Sequence, residues 1–340
     1  MANSPFQQRA LGALVGVAIG DAMGMPTQTL TREEIARQYG AIASFRDAGP
    51  DQPVSAGLPA GTITDDTEQS ILVAHHLIAR SGHIDQLAWA QELLTWERDT
   101  HTRGVNDLLG PSTKRAIEAL QRGVSASEAG RFGTTNGAAM RIVPVAIATP
   151  ATPLGALVDA VEESCRLTHN TSEAIGSASA VAAAVSRGIE GGSLEEILDA
   201  ALNAAALGEQ RGEPSKGGSI RNRIAAALAL AAGRSGTLSA IEIAVEIGTS
   251  VSALQSIPMA FAILRLTDAD PWSAALTSAV IGDDTDTIGA IACGMAGASS
   301  GIAAIPPEAW ALVQRVNGLD LEPIVSGLLR LRAARVEEGA

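Results

Sequence analysis

Apolar residues recur at helical spacing through most of the chain, and the strict alternation of a half-buried strand is nearly absent. The clearest segment is 66–80, Asp-Thr-Glu-Gln-Ser-Ile-Leu-Val-Ala-His-His-Leu-Ile-Ala-Arg, closed by Ser81-Gly82. The same period predicts helices over 85–97, 112–122, 155–167, 171–188, 194–206, 219–233, 238–247, 250–266, 271–281 and 286–303. Segment 142–148 is the best strand candidate, but Thr149-Pro150 follows it and it reads better as helix or irregular chain. The apolar run 10–19 carries Gly12 and Gly16, and Gly20 continues the four-residue repeat. One face of that buried helix is therefore bare glycine. The class expected is all-α.

Two segments lack periodicity. Residues 40–61, rich in Gly, Pro and Ser, exceed the roughly fifteen residues usual for a structureless connection, which makes them a candidate lid. Residues 208–218 could mark a domain boundary in a chain of 340 residues. The chemically interesting motifs flank that stretch on both sides, and a site assembled from both favours a single domain over 1–340, with 8–335 as its ordered core.

Composition narrows the partners. A formal net charge of −13 opposes sequence-independent attraction to nucleic acid and to anionic membrane surfaces. Nine aromatics, four Trp, four Phe and one Tyr, are too few for a base-stacking surface. An anionic ligand would need local positive charge from metal ions or helix N-termini. The two cysteines, Cys165 and Cys293, have no paired spacing, which fits a reducing cytoplasm. The run 10–19 could imitate a secretory signal after Arg9, but its glycine face and Asp21 argue for a buried helix. No apolar run reaches membrane-spanning length, so a cytoplasmic monomer is expected.

The candidate chemistry lies in two acidic stretches more than two hundred residues apart, Thr64-Asp65-Asp66-Thr67-Glu68 and Gly282-Asp283-Asp284-Thr285-Asp286-Thr287. Taken singly, each is a good helix start: Asp65 at the N-cap with Glu68 three residues on reads as a capping box. Capping leaves Thr64, Asp66 and the spare acids of the second stretch without a role. A fold that joins both stretches crowds carboxylates that repel, and oxygen-only ligands select a hard cation such as Mg²⁺ or Mn²⁺. A two-metal hydrolytic site is the reading that uses all of them. Gly20-Asp21-Ala22-Met23-Gly24 alone reads as a helix end and turn, but its place near one terminus suggests that the chain ends meet at the site. In Phe132-Gly133-Thr134-Thr135-Asn136-Gly137, a glycine-punctuated turn enters a small-residue helix whose N–H groups could hold a diphosphate or a ribose hydroxyl. Phe132 offers a face to a base, and Gly110-Pro111-Ser112 is a turn of the same kind. His169 alone reads as a structural residue, and nothing is assigned to His75, His76, His83 or His101.

Together, Gly20-Asp21-Ala22-Met23-Gly24, Thr64 to Glu68, Thr135-Asn136-Gly137-Ala138-Ala139-Met140-Arg141 and Gly282 to Gly289 resemble the ADP-ribosylglycohydrolase family across nearly the whole chain. The resemblance implies a single-domain compact orthogonal helical bundle with two Mg²⁺ or Mn²⁺ ions. By position, Thr64, Asp65, Asp66, Asp284, Asp286 and Thr287 would be the ligands, with Asp66 and Asp65 catalytic and Asp66 activating the water. Gln28, Gly110, Ser112, Phe132, Asn136, Gly137 and His169 would line the substrate, with His169 near the adenosine half. The implied reaction is metal-dependent hydrolysis of the bond between ADP-ribose and a protein side chain or small molecule. Two positions depart from the family pattern: Gln28 stands where many members carry Glu, and Asp283 where a small residue is common. An amide cannot act as a general base, so that work shifts to Asp66 or to metal-bound hydroxide. A smaller riboside as substrate, and a non-catalytic ADP-ribose-binding or crystallin-like relative, stay open.

Overall fold

The computed structural model describes residues 4–102 and 110–339; the span expected as ordered core, 8–335, thus includes residues 103–109, which lie outside the described ones. In chain order the α-helices are α1 (Pro5–Gly24), α2 (Arg32–Tyr39), α3 (Asp65–Ala79), α4 (Gln86–Thr102), α5 (Pro111–Gln121), α6 (Ala126–Ala129), α7 (Gly137–Met140), α8 (Val143–Ala148) and α9 (Leu154–Cys165). There follow α10 (Ser172–Ile189), α11 (Leu194–Gly208), α12 (Ile220–Ala231), α13 (Gly236–Ile247), α14 (Ala253–Leu266), α15 (Pro271–Ser278), α16 (Thr285–Ser300), α17 (Pro307–Asn317) and α18 (Glu322–Gly339). Among the described residues there is no strand, only the isolated bridges Thr135–Ser252 and Thr171–Glu213. The chain is an all-α, single compact bundle, and 142–148 is helical as its flanking proline suggested.

Two buried helices organise the core. Helices α1 and α16 run antiparallel with their backbones in contact, because glycine occupies the touching face of both. A Cβ built on Gly12 would lie 2.4 Å from the Gly297 carbonyl oxygen, one on Gly16 2.1 Å from that of Cys293, and one on Gly20 2.0 Å from that of Gly289. At the far end a Cβ on Gly24 would stand 2.4 Å from the Asp286 backbone. No side chain fits at these distances, so the four-residue glycine repeat fixes both the approach and the register of the pair. Helix α10 carries the all-buried run 178–185, Ala-Ser-Ala-Val-Ala-Ala-Ala-Val, and packs against α16, α11, α9 and α14. Its small side chains permit that crowding.

Four helices lie outside the sequence expectation, the single turn α6 among them. Helix α2 begins at a complete capping box, Thr31 with Glu34, but is only eight residues long and buries one apolar side chain, Ile35. Its hydrophobic period is therefore too short to stand out. Helices α17 and α18 close the bundle, and buried Arg332 fastens α18 by donating to the carbonyls of Ala146 (3.0 Å) and Thr149 (2.7 Å), to Ser186, and to Glu190. A pairing of that kind has no local sequence pattern. The segment 40–61 forms no helix, as expected, and 208–218 joins α11 to α12.

The α1–α16 contact gives a sharp expectation. Gly20→Ala forces a methyl into the Gly289 carbonyl and should lower stability by about 3 kcal/mol or more. Gly155→Ala, with nothing within 4 Å of the new methyl, should be neutral or slightly stabilising in the same thermal unfolding measurement.

Candidate functional site

The last turn of α1 reaches the first turn of α3 through one carboxylate. Asp21, fully buried, accepts from the Thr64 amide (2.9 Å) and hydroxyl (2.7 Å) and from the Thr67 amide (3.1 Å) and hydroxyl (2.5 Å). Two of these donors are backbone groups at the start of α3 that need an external partner. The expected capping box is therefore not formed: Thr64 is the N-cap without a side-chain cap bond, Asp65 is the first helical residue, and Glu68 instead accepts from Trp96 Nε1 at 2.6 Å. A carboxylate from another helix has replaced the local cap. The Asp21 motif is expected where the chain ends meet at the site, with no role there for Asp21 itself; the glycine face brings the end of α1 to this point.

The two acidic stretches meet. Asp66 Oδ2 lies 3.3 Å from the Thr64 hydroxyl and 3.5 Å from the Thr287 hydroxyl, 221 positions further along the chain. Asp284 precedes α16 as its N-cap, and its carboxylate accepts from Asn136 Nδ2 at 2.5 Å. Asp286 accepts from the Thr287 amide at 3.0 Å. Asp283 is exposed and turned away, in the left-handed region at φ 63°, where its backbone pairs with Thr29 and Leu30.

Burial first, and then mutual repulsion, raises the pKa of Asp65, Asp66 and Asp286 well above the usual carboxylate range. Asp21 and Asp284 are raised by burial to about 6, held there by the hydrogen bonds they accept. The first turns of α3, α5 and α16 all face the same place, which sets positive helix ends against these carboxylates.

Asp65, Asp284 and Asp286 line a cavity of about 360 Å³, whereas Asp21, Thr64 and Asp66 are buried and are not among its lining residues. Thr287 lines it with them, together with Gly110, Lys114, Asn136, Gly137, Gln28 and Val54, and Asn136 is bonded directly to Asp284. Gln28 is buried and donates from Nε2 to Ser55 Oγ at 2.8 Å, while its carbonyl accepts from Gln52 at 2.8 Å. The 40–61 segment is thus tied to the end of α1 and contributes Val54 to the cavity. Ser112 is buried beside the wall and accepts from Thr135 at 2.9 Å.

Phe132 and His169, like Ser112, are not among the residues that line this cavity. Phe132 is 60% exposed, lines a separate cavity of about 650 Å³ with Lys216 and Glu213, and is covered by the Arg131 guanidinium at 5.1 Å. Its bulk and its distance in sequence from the Asn136 turn put it beyond the bridge between Thr135 and Ser252. His169 lies behind the wall: a Cβ on Gly137 would be 3.1 Å from its ring. Burial and the neighbouring Arg141 push its pKa well below 6.5, so the ring is neutral. Gln69, Thr135 and Val251 line the cavity without having been singled out as site residues, since a neutral side chain one helical turn past Asp65, or a valine, carries no motif.

The donor set fits hard cations. Among the described residues no three acidic, His or Cys side chains stand in a ready-made ligand arrangement. What makes the site receptive is Asp66 Oδ1, buried with no hydrogen-bond partner, an orphaned acceptor amid oxygen donors.

An all-helical hydrolase architecture built around joined acidic helix starts is the class that fold and site define together. The chain belongs to the ADP-ribosylglycohydrolase family, whose model it matches over residues 2–338. It is 33% identical to the uncharacterized protein YegU of Escherichia coli (strain K12), over 96% of this chain and 98% of that one. It is also 34% identical to the ADP-ribosyl-[dinitrogen reductase] glycohydrolase of Rhodospirillum rubrum, over 50% of this chain and 54% of that one. A solved ADP-ribosylglycohydrolase-related protein complex superposes with a TM-score of 0.65 at 25% identity, covering 96% of this chain and 98% of that one. Membership makes the chain a hydrolase acting on glycosyl bonds. No helix among the described residues is long and apolar enough to cross a membrane.

The raised carboxyls predict a pH dependence. A carboxyl whose pKa is about 6 in the fold, as for Asp21 and Asp284, against roughly 3.9 unfolded, binds its proton more tightly in the native state. The stability it contributes is complete below about pH 4 and is lost as pH rises through about 6. Without divalent cations the melting temperature should fall between pH 4 and 7; a rise through that window would contradict the assignment.

Proposed function

We propose that this protein hydrolyses the glycosidic bond between ADP-ribose and an acceptor, a protein side chain or a small molecule, with two Mg²⁺ or Mn²⁺ ions held by Thr64, Asp65, Asp66, Asp284, Asp286 and Thr287. The observation that carries the reading is the meeting of the two acidic stretches at Asp66, whose Oδ1 is left without a partner at zero solvent exposure. An uncompensated carboxylate cluster of this kind is costly, and cations of matching hardness offset the cost. Bound there, such ions supply Lewis-acid charge for ribose hydroxyls and make water more acidic.

The chain's own groups account for the rest. Asp66, with an oxygen that no neighbour occupies, holds the attacking water and takes its proton. Water adds at the anomeric carbon, the bond to the acceptor breaks, and the electron pair leaves with the acceptor, which gains a proton. Positive charge developing on the ribose is stabilised by the remaining carboxylates. Asp65 lines the cavity close enough to Asp66 to be repelled by it, and so shares this role. The Asn136–Gly137 turn and the start of α5 at Gly110 line the same cavity as the acids, which suits an oxygen-rich ligand.

The deciding assay measures ADP-ribose released from arginine-linked, serine-linked and small-molecule-linked substrates with Mg²⁺, Mn²⁺ or chelator. Release with a divalent cation and none with chelator is expected. Asp284→Asn should lower turnover by at least about a hundredfold and shift the Mg²⁺ midpoint upward, whereas Asp283→Asn should stay within about threefold. Undiminished turnover of Asp284→Asn, or full activity in chelator, would sink the assignment.

A further inference from the structure

Behind the cavity wall an unbroken run of hydrogen bonds joins Asp65 to Ser112. Gln69 Nε2 donates to Asp65 Oδ2 (3.4 Å), and Arg141 donates to Gln69 Oε1 (2.6 Å) on one side and to the Thr168 hydroxyl (2.7 Å) on the other. Thr168 meets His169 Nδ1 (2.8 Å), His169 Nε2 meets the Thr135 hydroxyl (2.9 Å), and Thr135 donates to Ser112 Oγ (2.9 Å). Every member from Arg141 to Ser112 except Thr135 is buried, and Thr135 itself lines the cavity.

The chemistry of the members gives the run a direction. Guanidinium can only donate, so the Thr168 oxygen accepts from Arg141 and its own proton is left available for His169 Nδ1. From the other end, Thr135 spends its proton on Ser112, so its oxygen must accept from His169, which places the ring proton on Nε2. The Thr135 end requires this tautomer, and the Thr168 end accommodates it. Among the described residues the Ser112 hydroxyl donates to nothing else, and its neighbours Pro111 and Thr113 line the cavity.

We propose that His169 is a positioning residue: held as the Nε2–H tautomer between Thr168 and Thr135, it orients the Thr135 and Ser112 hydroxyls so that Ser112 presents its proton to an oxygen of the ligand. Arg141 anchors the run and, through Gln69, ties it to Asp65, so that Asp65 and Ser112 are joined through one cation. The neutrality of His169, enforced by burial and by Arg141, keeps one nitrogen as an acceptor and one as a donor. The close seat of the ring against Gly137, where a methyl would stand 3.1 Å from Cε1, holds it in plane with the turn that lines the cavity. The ligand part of the inference rests on the ADP-ribosyl reading of the cavity; the tautomer does not.

Two measurements test it. In ¹⁵N-labelled ligand-free protein, the imidazole signals that disappear in His169→Phe should report a protonated Nε2 and a bare Nδ1. A protonated Nδ1, or an imidazolium at pH 7, overturns the inference. Thr168→Val should weaken ADP-ribose binding, measured by calorimetry, by about fivefold, and Thr168→Ser, which keeps the hydroxyl, should restore it. Unchanged affinity in a folded Thr168→Val overturns the inference, because a merely structural threonine would move the melting temperature alone. If the parent protein does not bind ADP-ribose, the functional reading falls, and the ring spectrum alone decides the relay.

Discussion

Everything at the site depends on backbone touching backbone between α1 and α16. The glycines at 12, 16, 20 and 24 leave the carbonyls of α16 where side chains would otherwise be, and the two helices meet without a layer of side chains between them. Dispersion contacts at that range are dense, and the register allows no slip, since any shift would drive a side chain into a carbonyl. Because the pair is antiparallel, the C-terminal end of α1 lies at the N-terminal end of α16. Asp21 and the Asp284–Thr287 stretch therefore arrive together as a consequence of packing.

From that junction the first acidic stretch is held by a carboxylate in place of a local cap. The two amides and two hydroxyls that Asp21 accepts fix the start of α3 against the end of α1. The arrangement concentrates five carboxylates in little space, and their raised pKa values record the electrostatic cost. Helix N-termini and the buried Arg141 offset part of it; the unpartnered Asp66 Oδ1 marks what they leave. A catalytic centre assembled in this way is stable only as strongly as the scaffold that forces it together. The glycine contact supplies that force.

Much of this was legible beforehand. Long helices such as α10, α11 and α16 carry a strong apolar period, and the sequence placed them within a few residues of their observed bounds. The two acidic stretches were recognisable because each holds more oxygen ligands than a helix start needs, and the structure joins them. The short α2 was missed although its Thr31–Glu34 box is complete, since one buried isoleucine gives no period. Helix α18 was missed because what secures it, Arg332 reaching four acceptors more than a hundred positions away, leaves no local trace. The same reason explains why the positions of Phe132 and His169 relative to the cavity could not be read locally: both belong to recognisable turns, but where a side chain stands depends on what packs behind it.

By itself the sequence determined the helical class, the glycine face of α1, the identity of the acidic ligand candidates and the family they resemble, because periodicity and residue chemistry are local properties. Tertiary structure alone decided that Asp21 caps α3, that Asp65 opens that helix instead of capping it, that Asp283 points outward, and that His169 stands behind the cavity in a directed chain of hydrogen bonds. Each of these depends on contacts between residues distant in sequence, where donor geometry and close approach select one arrangement among several that the local pattern would permit.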